Sequence, residues 1–197
     1  MQNNKKRRCL HWLYIVIAVI FITACRQEPA APRPRGYFRI DFPEKKYTRY
    51  ISNCNYRFEY PVYGRVVNYA GQGTEPCWIN IEFPGSKSKI YITYKEVDKN
   101  LMSLTEDIRT MAYKHIIKAD DIVELTVAYP EKKVYGMIYD IKGNTASSVN
   151  FYLTDSSKRF LSGALYFDAM PNKDSLAPVI SFFQTDIEHL IETFYWE

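Results

Sequence analysis

The sequence is poor in the residues that most often carry chemistry. Among 197 residues there are 3 His, 4 Cys and 8 Gly. Eight glycines leave little for a nucleotide cradle, and no Gly-Lys-Ser/Thr phosphate loop occurs. His-Glu-x-x-His and Gly-x-Ser-x-Gly are absent as well, so the zinc-protease and nucleophile-elbow readings have no support. Excess charge is missing where it would matter. The formal net charge is +4, but residues 1–24 hold Lys5, Lys6, Arg7 and Arg8 and no acid, so the remainder balances to zero. A balanced chain has no bulk field to attract nucleic acid, and that partner is not expected. What is abundant is aromatic: 17 Tyr, 11 Phe and 3 Trp. Charged residues at 24% and hydrophobic residues at 47% are ordinary for a globular protein. The length allows one domain with an appendage.

The start of the chain reads as an export signal. Lys5-Lys6-Arg7-Arg8 is a positive n-region, followed by an apolar stretch whose core is Trp12–Ile22. That core is short against the roughly 20 apolar residues of a spanning helix, and right for a signal h-region. It ends Ile22-Thr23-Ala24-Cys25, which resembles a bacterial lipobox. The pattern implies a signal peptide over 1–24, cut before Cys25, and a diacylglycerylated Cys25 with an acylated amino terminus. Several acyl chains hold a bilayer far more firmly than one myristoyl group. The competing reading is an uncleaved anchor with an incidental Cys. Three prolines follow within residues 26–35, and residues 25–35 read as an extended, proline-rich tether. At about 3.1 Å per residue it reaches roughly 30 Å from the membrane. No acidic cluster follows Cys25, and this favours a periplasm-facing domain while leaving inner and outer membrane open.

Cys54 and Cys77 remain, an even pair in a compartment that tolerates disulfides. Bridging them would stabilise the fold by roughly 3 kcal/mol in the chain-entropy model. Two buried free thiols are the alternative; a metal site lacks the ligand spacing.

Residues 36–197 read as one domain. Gly36–Pro43 suits an edge strand or an extended arm. Strand patterns follow at Tyr56–Tyr60, Val62–Tyr69, Trp78–Phe83 and Lys89–Tyr94. The period then changes: Leu104, Ile108, Met111, Ala112, His115 and Ile116 make a helical stripe ending near Ala119, with Asn100 or a Ser103-x-x-Glu106 box as cap. Four more strands are expected at Ile122–Tyr129, Lys133–Ile141, Ser147–Thr154 and Phe160–Phe167, with turns at Lys142–Asn144 and Asp155–Ser157. Asp174-Ser175 should cap a last helix whose stripe runs from Leu176 to Phe194. The expected class is α+β, an antiparallel sheet with two main helices packed on one face. The element order resembles the PsbP/Mog1-type fold, a likeness that implies no activity.

Candidate chemistry is sparse. His115 and His189 lie on helical patterns, where a packed or solvent-facing histidine is the commoner outcome. Asp120-Asp121 past a helix end reads first as a solvated turn, and Gly71-Gln72-Gly73 as a loop. Tyr37, Phe38, Arg39, Tyr47, Arg49, Tyr50, Tyr56, Arg57 and Tyr63 interleave aromatic and basic side chains. Such mixtures are enriched in protein interfaces and also stack on bases or sugars. The plain alternative is the half-buried side of a Tyr-rich sheet. With no net charge, a protein partner is favoured. An envelope protein acting on or binding glycan or peptidoglycan remains the second functional class, and a passive lipoprotein with a chaperone-like groove the third.

Several segments together resemble the GldD family of gliding-motility lipoproteins of Bacteroidetes. They are Cys25 with its proline tether, Pro34–Pro43, Cys54 to Pro61, Cys77–Glu82, Tyr113–His115 with Lys118–Asp120, Phe151–Asp155 and Asp174–Ile180. The resemblance implies a required component of the gliding and type IX secretion apparatus, with no enzymatic activity and no cofactor. It implies a structural or assembly role in the envelope, beside integral membrane partners such as GldE. It marks no functional residue beyond the lipid-bearing Cys25 and, by inference, the Cys54–Cys77 pair.

Overall fold

The computed structural model describes residues 39–197, except 70, 72, 74, 170 and 171. The expected signal peptide, Cys25, the tether, Tyr37 and Phe38 lie outside the described residues. Ile40–Glu197 forms one compact unit.

Alternation of bulky and polar residues builds two antiparallel sheets. The smaller comprises β1 (Tyr47–Ile51), β2 (Tyr56–Pro61) and β10 (Tyr195–Trp196), in the order β1-β2-β10. The larger comprises β3 (Arg65–Asn68), β4 (Ile79–Phe83), β5 (Ser88–Glu96), β6 (Ala119–Tyr129), β7 (Val134–Gly143), β8 (Ser147–Thr154) and β9 (Arg159–Phe167). Its order is β3-β4-β5-β9-β8-β7-β6. The long link from β5 to β6 contains α1 (Leu101–Tyr113), and α2 (Lys173–Glu192) follows β9. Tight Pro84–Ser86 and Pro130–Lys132 turns close β4–β5 and β6–β7, each ending on a left-handed lysine, Lys87 or Lys133. Among the described residues no helix is long and apolar enough to cross a membrane.

The antiparallel α+β class and the two helices are as the patterning implies. Their placement on a common face is not. Adjacent residues of a strand point to opposite faces. On β7, Val134 and Ile138 join the core beneath α2, with Phe151, Leu153, Phe183 and Ile187. Their neighbours Met137, Tyr139 and Ile141 join a second, smaller cluster with Ile108 and Ala112 of α1. The helices therefore pack on opposite faces of the seven-stranded sheet. Both faces of β7 carry apolar side chains, and period alone cannot say which helix takes which face.

The main core holds Ile79, Ile81, Ile90, Ile92, Leu161 and Leu165, all at 1% exposure or less. Each such side chain stabilises the fold by about 1.5–3 kcal/mol relative to exposure. The α2 stripe delivers Val179, Phe183, Ile187, Leu190 and Ile191 to it. Asn172, rather than Asp174 or Ser175, is the N-cap: its side chain accepts from the Ser175 N–H at 3.2 Å. Asn144 accepts from the Lys173 N–H at 2.8 Å, so a second free donor of the first turn is satisfied. Lys132 Nζ donates to the Glu192 carbonyl at the other end.

α1 stops at Tyr113, six residues before the expected Ala119. Lys114–Lys118 form turns closed by His115 N–H to Ala112 O and Ile116 N–H to Tyr113 O. Asn100 occupies the N-cap without a side-chain cap bond; its Oδ1 accepts from Asp98 N–H instead. Residues 39–43 form no strand, so the arm reading holds there, and Phe42 stacks on Phe182 at 4.4 Å. β1 and β10 have no counterpart in the sequence reading.

Candidate functional site

Two features stand out from the residues upward: a buried ionic cluster beside α2 and an open cleft beside α1.

The cluster centres on Asp186, whose side chain is 1% exposed. Lys45 Nζ donates to Asp186 Oδ1 at 2.7 Å and to the Phe182 carbonyl at 2.7 Å. The ammonium also sits 3.3 Å from the Phe182 ring centroid. Tyr47 and Tyr63 donate to the same carboxylate, at 3.1 Å and 2.5 Å. Three groups, from the chain before β1, from β1 and from the β2–β3 turn, thus converge on one acid of α2. A buried charge persists only with such partners. Burial, then the Asp186 charge, pushes the Tyr47 hydroxyl up to about 12, and the same causes raise Tyr63. Burial pulls Lys45 below its ordinary value, and Asp186 opposes that pull. Next to the cluster, Tyr47 stacks on His189 at 3.6 Å, and His189 Nε2 lies 3.0 Å from Glu59 Oε2.

These contacts correct the expected partner surface. Tyr47 and Tyr63 are spent on Asp186. Tyr56 is fully buried, and Tyr50 leans on Tyr56 and Phe58 at 6.3 and 5.2 Å. Of the strand residues in that set, the two arginines face outward: Arg49 pairs with Glu59 at 3.6 Å and Arg57 with Glu197 at 3.5 Å. The period-2 pattern is real, but its aromatic side faces α2 and Phe194 rather than solvent. Arg39 is exposed at the start of the described residues. Cys54 and Cys77 are joined as a disulfide with Cα atoms 6.0 Å apart, and the Tyr56 hydroxyl donates to the Cys77 carbonyl.

The cleft has a volume of about 940 Å³. Its floor is the outer face of β5, β9 and β8, and its wall is α1 with Ile108 and Met111, continued by His115 in the turn that follows. Alternation explains the floor. Ile90 and Ile92 point into the core, so Lys89, Tyr91, Thr93 and Lys95 point out. Burial lowers the His115 value, leaving a neutral ring favoured there. His189 lies elsewhere, beside Glu59. Asp120 lies not in a turn but at the irregular start of β6, where it pairs with Lys173 at 2.7 Å at the surface. Among the described residues no three His, Cys, Asp or Glu side chains are placed to hold a metal ion.

Together these features define an antiparallel α+β domain whose first strands are locked to its last helix, with one large open cleft beyond. Residues 27–196 match the family model described as gliding motility lipoprotein GldD, and the chain belongs to that family. Among solved structures, the chain is similar to cyanobacterial PsbP (CyanoP) from Synechocystis sp. PCC 6803, at 14% identity and a TM-score of 0.49. That match covers 85% of this chain and 100% of the other. No curated protein matches.

Proposed function

We propose that the protein is a lipid-anchored, non-enzymatic assembly component of the gliding and type IX secretion machinery, held at the membrane through Cys25 with its domain facing the periplasm. One observation supports this most. The family match runs from residue 27 to 196, so nearly all of the chain beyond the expected attachment cysteine shares the pattern of gliding motility lipoproteins. The anchor raises the local concentration of the domain to the order of mM near other membrane-held proteins, which makes a weak contact sufficient.

The partner is an integral envelope protein of that apparatus, and the contact surface is the turn after α1. Ile116 and Ile117 are 60% and 92% exposed there, between Lys114 and Lys118, and Met111 in the last turn of α1 is 53% exposed. Adjacent exposed apolar side chains rimmed by charge are a common feature of docking sites. The test is photo-crosslinking in intact cells from a probe at Ile117. Discrete envelope proteins should be captured, and capture should fall when Ile116 is changed to Ser. Recovery of uncrosslinked monomer alone would overturn the docking role. Separately, Cys25→Ala should leave an unprocessed, unacylated and mislocalised precursor; normal acyl labelling of that variant would overturn the anchor.

A further inference from the structure

α1 lies over β7, β8 and β9, and the outer face of the sheet towards β4 and β5 stays open beside it. We infer that the cleft formed there is a binding site for an oligosaccharide.

Aromatic rings line it in a row, each tilted or edge-on to the next. Trp78 lies 6.1 Å from Tyr69, Tyr69 6.3 Å from Tyr91, and Tyr91 5.4 Å from Tyr166. These rings stand on paired strands or at their ends, so they need little ordering on binding. Pyranose rings present C–H faces to such platforms and hydroxyls at their edges. The cleft supplies polar groups for those edges. Thr93 and Ser162 are cross-strand neighbours whose hydroxyls share one hydrogen bond of 2.7 Å. That bond uses one of two O–H groups, so a donor and several lone pairs remain. Asn150 also lines the cleft and is 4% exposed. One end of its amide holds the Ser147 hydroxyl at 2.7 Å, while its amide nitrogen donates to none of the described residues. A buried amide with spare donors beside a cleft is better satisfied by a polar ligand than by leaving it open.

Charge and topology narrow the ligand class. Lys89, Lys95 and Lys114 line it with Asp107 and Asp168, and Lys89 lies 3.9 Å from Glu82, so the net charge is small and suits an uncharged polar chain better than a polyanion. The floor strands β5, β8 and β9 are interior to the sheet, with their backbone groups already paired, so a peptide cannot bind here by strand addition. The volume is within the range of sites that enclose small ligands. This site adjoins the docking turn proposed above and shares Met111 and Lys114 with it, while Ile116 and Ile117 lie outside its lining.

The full lipidated protein in a zwitterionic, sugar-free detergent should be titrated with N-acetylchitotetraose and with cellotetraose, followed by calorimetry and tryptophan emission. At least one sugar should bind saturably, with Kd below about 1 mM, and shift the emission of Trp78. Tyr166→Ala should weaken that binding about tenfold. Ser162→Ala, a small change that guards against unfolding in the first variant, should weaken it about threefold. Both variants should keep the parent's unfolding midpoint. No binding of either sugar at about 10 mM would overturn the proposal. So would binding that neither variant changes. Saturable binding of a proline-rich peptide instead of sugar, lost in Tyr166→Ala, would overturn it in favour of a polypeptide groove.

Discussion

At the scale of single residues, Asp186 matters most to the architecture. It is an acid in the apolar stripe of α2, three residues after Phe183 and four before Leu190, both buried. That position is visible in the sequence, and an acid there implies a buried cationic or hydroxyl partner. Which partner was not visible, because Lys45 and Tyr63 are more than a hundred residues away in the chain. The same distance misled the reading of Tyr47 and Tyr63 as surface groups. Asp186→Ala leaves Lys45 and two tyrosine hydroxyls without their shared acceptor and should cost roughly 3 kcal/mol. Denaturant unfolding of the variant checks this; a loss below about 1 kcal/mol would show the cluster to be energetically idle. The Cys54–Cys77 bridge calls for a second check at this scale. A non-reducing mass of the mature protein should be two hydrogens lighter than the reduced form.

At the scale of elements, the turns and the strand faces decide the outcome. Asp155 organises the β8–β9 turn. Its Oδ1 accepts from the backbone N–H groups of Ser157, Lys158 and Arg159 at 2.9, 2.7 and 3.0 Å. Burial alone would raise its pKa, but these bonds outweigh burial and hold it below the ordinary carboxylate value. A carboxyl depressed in the folded state stabilises above its unfolded value, near 3.8. That contribution fades as pH falls through the folded value. Asp155→Ala should therefore cost about 2 kcal/mol near neutral pH, and the difference from the parent should shrink as the pH falls below about 4. Unfolding curves at the two pH values measure both. Gly163 on β9 faces Phe151, which is fully buried; a Cβ there would collide with the Phe151 ring. Gly163→Ala should destabilise by about 1–3 kcal/mol through overpacking, seen as a lower unfolding midpoint. The strands other than β1 and β10 were legible because alternation and turn residues mark them locally. The end of α1 was not, because His115 and Ile116 continue the helical spacing beyond Tyr113. Ile116 and Ile117 find no surface to cover, and the chain turns instead into β6, where Ala119 pairs with Gly143.

For the molecule as a whole, the tyrosine content becomes a pH property. Burial first, then neighbouring Tyr152 and Glu124, raises Tyr139 to about 12, and Tyr47 reaches about 12 through burial and Asp186. Tyr56 and Tyr63 are raised as well. A group whose folded value exceeds its unfolded value of 10.0 contributes stability that is complete below that value. This stability is lost as pH rises through about 12. Lys45, lowered by burial, acts with the opposite sign, and four raised tyrosines outweigh it. Alkaline titration should show a cooperative loss of near-ultraviolet circular dichroism between pH about 10 and 12, with tyrosinate absorbance appearing in the same transition. Full tyrosine ionisation within an intact fold would contradict this.

The sequence alone indicated what local chemistry can indicate: eight of the ten described strands, both helices and the balance of charge after residue 24. Each depends on neighbours within a few residues. Tertiary structure decided the rest. It put the two helices on opposite faces, sent the first tyrosines inward to Asp186, and opened the cleft of Trp78, Tyr91 and Tyr166. Those outcomes depend on which distant surfaces meet, and a strand apolar on both sides, like β7, accepts a helix on either.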